Sequence, residues 1–275
     1  MQGKKRTKIT DTATFIGLVC VTVICLLPWL LMLRISLISP ARFFEMPVAW
    51  TAPITLEHFI KVLSGRFPRF LLNSLILSLS ATFIVMTVGT LAAFALARFR
   101  FKAKENVLFF ILSTRMGPPV VFAVPLYILM VNFSLVDTYL GMILLYTFYN
   151  LAFAIWMMYG FFQDMPVEAE EAAMLDGLDE FGVFLRVSLP IAAAGLIATA
   201  ILVFSFTWNE FFYALIMSRN VARTFPAQIP SFFGAFAIDW GGMFASSIMG
   251  TIMPLAFGIS VRKHLARGLS MGAVK

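Results

Sequence analysis

Charge is what this chain has least of. Only 13% of its 275 residues are charged, where a soluble domain carries about a quarter. That deficit argues against an ordinary soluble fold. Cysteine is nearly absent as well. Cys20 and Cys25, the only two, lie five residues apart in one hydrophobic run, poorly placed to bridge each other. They define no disulfide framework and say nothing of redox compartment. Histidine is equally scarce: His58 and His264 stand alone, too few for a metal cluster. No G-x-x-x-x-G-K-[ST] phosphate loop occurs, and no nucleophile–base constellation is visible, so no enzyme activity and no bound cofactor are expected. Internal repeats, linkers and low-complexity tracts are missing too, which predicts a single domain over residues 1–275.

What is present is hydrophobic. Sixty per cent of the residues are apolar, with thirty Phe and sixteen Met, and the mean hydropathy is +0.90. The apolar runs reach about twenty residues, the length that the hydrocarbon core of a bilayer requires of a helix. They are continuous rather than alternating, so helices and not a barrel are implied. Six spans are predicted, near 12–36, 70–97, 106–131, 138–162, 190–216 and 243–262: an all-α, polytopic membrane protein. The first run follows Lys4, Lys5, Arg6 and Lys8 like a secretion signal. It exceeds the usual 7–15 residue signal core and lacks a small-residue cleavage pattern, so it reads as a retained span.

The net charge of +7 does not point to nucleic acid, because the basic residues sit mostly at the ends of the apolar runs. With the N-terminus in the cytoplasm, the inner segments hold Lys4, Lys5, Arg6, Lys8, Arg98, Arg100, Lys102, Lys104, Arg186, Arg262, Lys263, Arg267 and Lys275. The outer ones hold Arg42, Lys61, Arg66, Arg69, Arg219 and Arg223. Thirteen against six predicts that both termini lie in the cytoplasm. The outer loop 37–69 contains Leu56, Phe59, Ile60 and Leu63 at helical spacing, which predicts a small amphipathic external helix.

Residues 164–189 break the hydrophobic rule. Glu170, Glu171, Asp176, Asp179 and Glu180 fall within eleven residues, on the cytoplasmic side of this topology. Asp164 is expected to cap a helix, with Pro166 in its first turn and Glu168, Glu170 and Glu171 near its positive end. Gly177 is expected to stop that helix in a left-handed conformation. Beyond it, Phe181, Phe184, Leu185 and Val187 make an apolar stripe that ends at Leu189–Pro190. A loop that only reverses the chain needs a few residues; this one holds two short helices. Membrane-surface helices usually carry Lys and Arg on the polar face. An acidic face avoids anionic headgroups and suits a basic or hydrophobic protein groove instead.

Arg115 lies about ten residues into the third span, in Thr114-Arg115-Met116-Gly117-Pro118-Pro119. At mid-membrane an Arg is costly and faces a cavity or a partner charge. Two readings stay open: a water-accessible substrate pathway between the third and fifth spans, or an ion pair, with Glu210 or with another subunit. Asn73 and Asn150 are adequately explained by packing and interhelical hydrogen bonds.

Glu171-Ala172-Ala173, three residues, Gly177, nine residues and Val187-Ser188-Leu189-Pro190 resemble the EAA loop of bacterial ABC importer permeases, with Val187 in place of the usual Ile. Asn73-Ser74-Leu75, Ala92 to Arg100, Trp208-Asn209-Glu210 and the ending Arg267 to Lys275 also look like carbohydrate-uptake permeases. The similarity is to the smaller of two permease subunits, as in the maltose system. The resemblance implies a type I ABC importer permease fold and one half of a membrane pathway for a sugar or sugar derivative. It implies as partners a second permease subunit, two ATPase subunits that use ATP and Mg, a periplasmic or lipid-anchored solute-binding protein, and lipid. It further implies that Glu171, Ala172, Ala173, Asp176, Gly177, Phe184, Leu189 and Pro190 couple to the ATPase. Glu171 would meet a basic ATPase residue, Ala172 and Ala173 would allow close approach, and Gly177 would allow the turn. Trp208, Asn209 and Glu210 either line the pathway or mark the membrane-interface belt; the resemblance favours the pathway. The outer loop 217–242, with Phe225-Pro226 and Trp240-Gly241-Gly242, would face the binding protein. The alternative is half of a secondary transporter or facilitator, which has no reason to carry the EAA unit. A membrane scaffold or sensor would need a soluble output domain. The identity of the cargo is open among sugars, polyols and anionic sugar derivatives.

Overall fold

The computed structural model describes residues 2–39, 52–234 and 237–271, with side chains from residue 14 to residue 259 in those stretches. The chain is helical, and among the described residues the one β feature is an isolated antiparallel bridge, Phe233 to Ile238. The helices are α1 (Gln2–Ser36), α2 (Glu57–Ser64), α3 (Phe67–Arg98), α4 (Lys104–Met116), α5 (Pro119–Asn132), α6 (Tyr139–Asp164) and α7 (Glu168–Leu175). They continue as α8 (Glu180–Val183), a π-helical segment (Phe184–Ser188), α9 (Leu189–Ile191), α10 (Ala193–Trp208), α11 (Phe212–Met217), α12 (Phe225–Gln228) and α13 (Trp240–Met271). Expected as one domain, the residues group into two compact units, 1–67 with 229–251 and 68–228 with 252–275.

Helices cover all six predicted spans, but two are broken. Among the described residues four helices are long and apolar enough to cross a membrane, or up to six if each bent pair counts as one span. The third span bends by 94° between α4 and α5. Gly117 is extended (φ −74°, ψ 138°) and Pro118 is polyproline-like (φ −58°, ψ 136°), because a residue before proline is pushed out of the helical region. Pro119 then opens α5, where its missing N–H costs nothing. The fifth span bends by 78° before α10 and stops again at Trp208. There Glu210 takes over: Oε1 accepts from the Tyr213 N–H (2.9 Å) and Oε2 from the Ala214 N–H (3.0 Å), starting α11. A continuous 190–216 helix would leave those donors to the backbone and the carboxylate without them.

In the first unit, residues 14–30 of α1 are exposed throughout. The predicted external helix is present as α2, with most of its apolar stripe turned outward. Leu56, Ile60 and Leu63 are 59%, 62% and 51% exposed, while His58 and Val62 are buried. The imidazole decides this. His58 Nε2 lies 2.9 Å from the Ile38 carbonyl and Nδ1 3.8 Å from Asp239, which also accepts from Lys61 Nζ at 2.8 Å. A polar ring gains a partner on that face and would be stranded on the other.

In the second unit, two cores lie along α3. Leu77 and Ala81 pack with Met142, Tyr146, Tyr213 and Met217. Farther along the helix, Val85, Ala93 and Phe94 pack with Ala154, Met158, Phe162 and Phe184. Lipid tails are as apolar as Leu, so close packing rather than burial holds such helices together. The small residues are placed accordingly. A β-carbon on Gly89 would stand 3.1 Å from the Ala154 methyl, and one on Gly195 2.5 Å from the Phe161 ring. Asn150 links α6 to α10 through Thr207 Oγ1 (3.2 Å), and Asn73 donates to the carbonyls of Val221 and Arg223 (2.9 and 2.8 Å); both act as interhelical and loop clamps.

In the first part of the outer loop 217–242, Arg219, Asn220 and Val221 are exposed, while Ala222, Thr224 and Phe225 are buried. Asp137, in the left-handed region (φ 58°) that Asp tolerates, accepts the backbone N–H groups of Arg219, Asn220, Val221 and Ala222 at 2.8–3.2 Å. Burial works against its ionisation, but these four donors outweigh it and hold the carboxyl below the ordinary range. Phe225 is 8% exposed and lies 6.2 Å from Trp208, ring to ring. Phe233, 55% exposed, is the outward aromatic of the later part.

Candidate functional site at the acidic helical unit

The acidic unit begins later than expected. Asp164 caps nothing; it is the last residue of α6, and α7 starts at Glu168 after Val167. The cause is Pro166, which forces Met165 extended (φ −82°, ψ 132°) and thereby ends α6. Glu168, Glu170 and Glu171 nonetheless occupy the first turn of α7, where four backbone N–H groups lack helical partners and negative charge is stabilised.

The stop at Gly177 is the predicted one. Its φ is +92°. The Gly177 N–H donates to the Met174 carbonyl (3.0 Å) and the Leu178 N–H to the Ala173 carbonyl (3.1 Å), the paired bonds of a Schellman cap. Asp179 then restarts the chain as a helix, its Oδ1 accepting from the Gly182 N–H at 2.9 Å. Nothing crowds a β-carbon at Gly177, so the backbone conformation alone selects glycine. Gly177→Val is therefore expected to destabilise the turn by about 1–2 kcal/mol and to lower transport, and Gly177→Asn to do so far less. Uptake measured side by side in the two variants checks this; equal activity would remove the turn from the coupling route.

Exposure sorts the predicted coupling residues. Glu171, Ala172, Asp176, Gly177 and Pro190 are exposed; Ala173 and Leu189 are half-buried. Phe184 departs from expectation: it is 5% exposed and packs on Phe94 (5.0 Å between centroids) and Phe162 (6.4 Å). It anchors the unit to the chain's own core instead of facing outward. The expected stripe is thus divided, with Phe184 inward, Val187 half-buried, and Phe181 and Leu185 outward. The π-helical turn over Phe184–Ser188 inserts an extra residue and rotates the face, which an α-helical period does not foresee. Phe181, Phe184, Leu185 and Leu189 line an apolar groove with α3 residues Phe83, Met86 and Leu91.

One site residue escaped sequence reasoning. Glu170, one position before the predicted contact, is 3% exposed. Its carboxylate accepts from Arg98 at the end of α3, with Nη2 3.0 Å from Oε1 and Nε bonded to Oε2, and from the Ser188 hydroxyl at 2.7 Å. Arg98 lies 72 residues away in sequence.

The mid-span polar residues also sort. Arg115 sits at the C-terminal end of α4, where the helix dipole favours a cation. Its guanidinium donates to the Tyr149 carbonyl (2.8 Å) and lies over the rings of Tyr149, Phe206 and Phe153, at 4.6, 5.3 and 5.5 Å from their centroids. Among the described residues no carboxylate lies within ion-pair distance of it, so the pair with Glu210 is not formed. The side chain points inward, as the cost of facing lipid requires, but into an aromatic cage. Trp208 is 1% exposed and stacks on Phe204 at 5.7 Å; it is a core residue in this chain, not a lining one. Asn209 is exposed, and its amide donates to the Ser205 carbonyl (2.8 Å). Among the described residues no group of three His, Cys, Asp or Glu side chains could hold a metal ion.

Comparison with known proteins agrees with this architecture. Residues 85–269 match the family described as "Binding-protein-dependent transport system inner membrane component". The chain is 31% identical to the trehalose/maltose transport system permease protein MalG of Thermococcus litoralis, over 94% of this chain and 95% of that protein. It is 33% identical to the sulfoquinovosyl glycerol transport system permease protein SmoH of Agrobacterium fabrum, over 91% and 89% of the two. Its fold is similar to a chain in the crystal structure of a bacterial ABC transporter involved in the import of the acidic polysaccharide alginate, with a TM-score of 0.78 at 19% identity, covering 94% of this chain and 96% of that one. A multi-pass, all-α chain with the type I ABC importer permease fold, a transporter component and not an enzyme, it belongs to the family of binding-protein-dependent transport system inner membrane components.

Proposed function

We propose that this chain forms half of the translocation pathway of an ATP-driven importer for a sugar or sugar derivative, and that residues 164–189 couple it to an ATPase. The observation that carries the coupling role is the exposed edge Glu171–Ala172 on a helix fixed at both ends, by buried Glu170 at its start and the left-handed Gly177 after its finish. An acidic, rigidly held, outward helix edge suits a basic protein groove and would be repelled by anionic lipid. The complex would contain a second permease subunit and two ATPase subunits carrying ATP and Mg, fed by a periplasmic or lipid-anchored solute-binding protein. Both termini and the acidic unit would lie in the cytoplasm, as the distribution of Lys and Arg favours. Asn209, Glu210 and Arg115 remain the pathway candidates.

The carbohydrate class is supported by the relatives, whose names specify trehalose, maltose and sulfoquinovosyl glycerol. The test is reconstitution of the chain, with its partner permease, ATPase and binding protein, in proteoliposomes offered those three compounds. Uptake of at least one is expected with internal ATP and none without it. Uptake driven by an ion gradient, with no ATP requirement, would favour a secondary transporter and end this reading.

A further inference from the structure

Three separate elements meet at the carboxylate of Glu170. Arg98 is the last residue of α3, Glu170 lies in the first turn of α7, and Ser188 ends the π-helical segment that leads through α9 to the 78° bend before α10. All three are shielded: the side chains of Arg98 and Glu170 are 17% and 4% exposed, and Ser188 is 0% exposed. The two guanidinium bonds are the parallel fork that only Arg supplies. Ser188 donates to Oε1 on the other side, so the buried charge is hydrogen-bonded from two elements. Both helix ends add to it, since a cation closes α3 and an anion opens α7, each at the pole that favours it. The Phe94 and Phe184 rings, 5.0 Å apart, pack in the core beside this junction.

We infer that Arg98 and Ser188 are positioning residues which, through Glu170, make the acidic unit, the end of α3 and the entry to α10 move as one body. This rests on the coupling role proposed above. Without the joint, α7 keeps its chain connections at Pro166 and Gly177 and its packing on α8 and the π-helical segment, but it loses the charged link to the end of α3, and a push on α7 would be passed there less. The adjacent glutamates then divide the labour: Glu171 faces outward to the partner, and Glu170 passes the displacement inward. The π-helical turn is part of the device, because it brings Ser188 round to the inward face with Phe184; such turns often mark functional positions.

The experiment is hydrogen exchange by mass spectrometry on the complex co-purified with its ATPase, nucleotide-free and after trapping with ATP and vanadate. In the wild type, trapping should change exchange in α7, in the segment 94–104 that ends α3 and in 189–196 at the entry to α10. Arg98→Lys keeps the charge but not the fork; Ser188→Ala removes the donor from the π-helical segment and leaves the fork intact. The change in α7 should persist in both variants, while Arg98→Lys loses the change in 94–104 and Ser188→Ala loses that in 189–196. A purely structural role would lower yield and thermal stability of the complex without uncoupling these segments. Retention of the 94–104 change in Arg98→Lys, or of the 189–196 change in Ser188→Ala, overturns the inference. If Arg98→Lys fails to assemble, Ser188→Ala decides by its own criterion. An absence of any nucleotide-dependent change in α7 of the wild type would instead overturn the coupling role itself, and the joint with it.

Discussion

In Glu171→Lys, ATP-dependent uptake is expected to fall to background and the ATPase to be lost on co-purification, while the chain remains inserted and folded. The separation of these effects follows from where Glu171 sits. It is exposed and next to, not within, the buried Arg98–Glu170–Ser188 cluster, so its replacement breaks no internal contact of that joint. The change of sign in the first turn of α7 costs about 0.3–1 kcal/mol against the helix dipole, too little to unfold a helix held by Glu170 and by the cap at Gly177. Against the basic groove proposed above, the same reversal would set like charges together, which costs several kcal/mol. At about 1.4 kcal/mol per tenfold, docking weakens by at least two orders of magnitude. Thermal unfolding of the permease within a few degrees of wild type, together with loss of the co-purified ATPase, is the expected pair of measurements. Normal assembly and uptake would remove Glu171 from the interface.

Arg115→Gln is expected to cut uptake and to loosen α4 from α6, and Glu210→Gln is not expected to restore either. The guanidinium is held by one carbonyl and three aromatic rings drawn from α6 and α10. Cation–π contacts contribute about 0.5–2 kcal/mol each depending on desolvation, so roughly 2–4 kcal/mol of anchoring is at stake. Arg115→Lys should recover only part of it, because an ammonium lacks the planar surface that stacks on the rings. Glu210 cannot compensate, since its two oxygens already hold the Tyr213 and Ala214 N–H groups at the start of α11. The check is uptake and unfolding temperature in the two single variants and in Arg115→Gln with Glu210→Gln. Restoration in the double variant would mean that the two residues pair in another state of the transport cycle. Full activity of Arg115→Gln would make the cage dispensable.

Much of the architecture is local chemistry and could be read along the chain. Six apolar runs of bilayer length become helices because lipid leaves backbone groups no other partner. Gly177 stops α7 because the turn needs a positive φ, and Asp179 restarts a helix because its carboxylate reaches a free N–H three residues on. Pro118 and Pro119 break the third span, and Pro166 ends α6, for reasons carried by the ring itself. None of these depends on a distant residue.

What could not be read is which way each residue faces. In water an apolar stripe announces the buried side, but in or near lipid an exposed Leu costs nothing, so the pattern loses that meaning. Leu56, Ile60 and Leu63 of α2 face out, and the imidazole of His58 faces in because the Ile38 carbonyl is there to meet it. Trp208 and Phe184, expected to line a pathway and a docking face, fill the core instead. Glu170 and Glu171 are chemically identical neighbours; the first is turned to Arg98, brought from 72 residues away, and to Ser188, while the second is exposed. Arg115 takes an aromatic cage over an acid for the same reason. A buried charge is satisfied by whatever the packed helices place within about 3–6 Å, and that proximity belongs to the tertiary contacts, not to the order of residues.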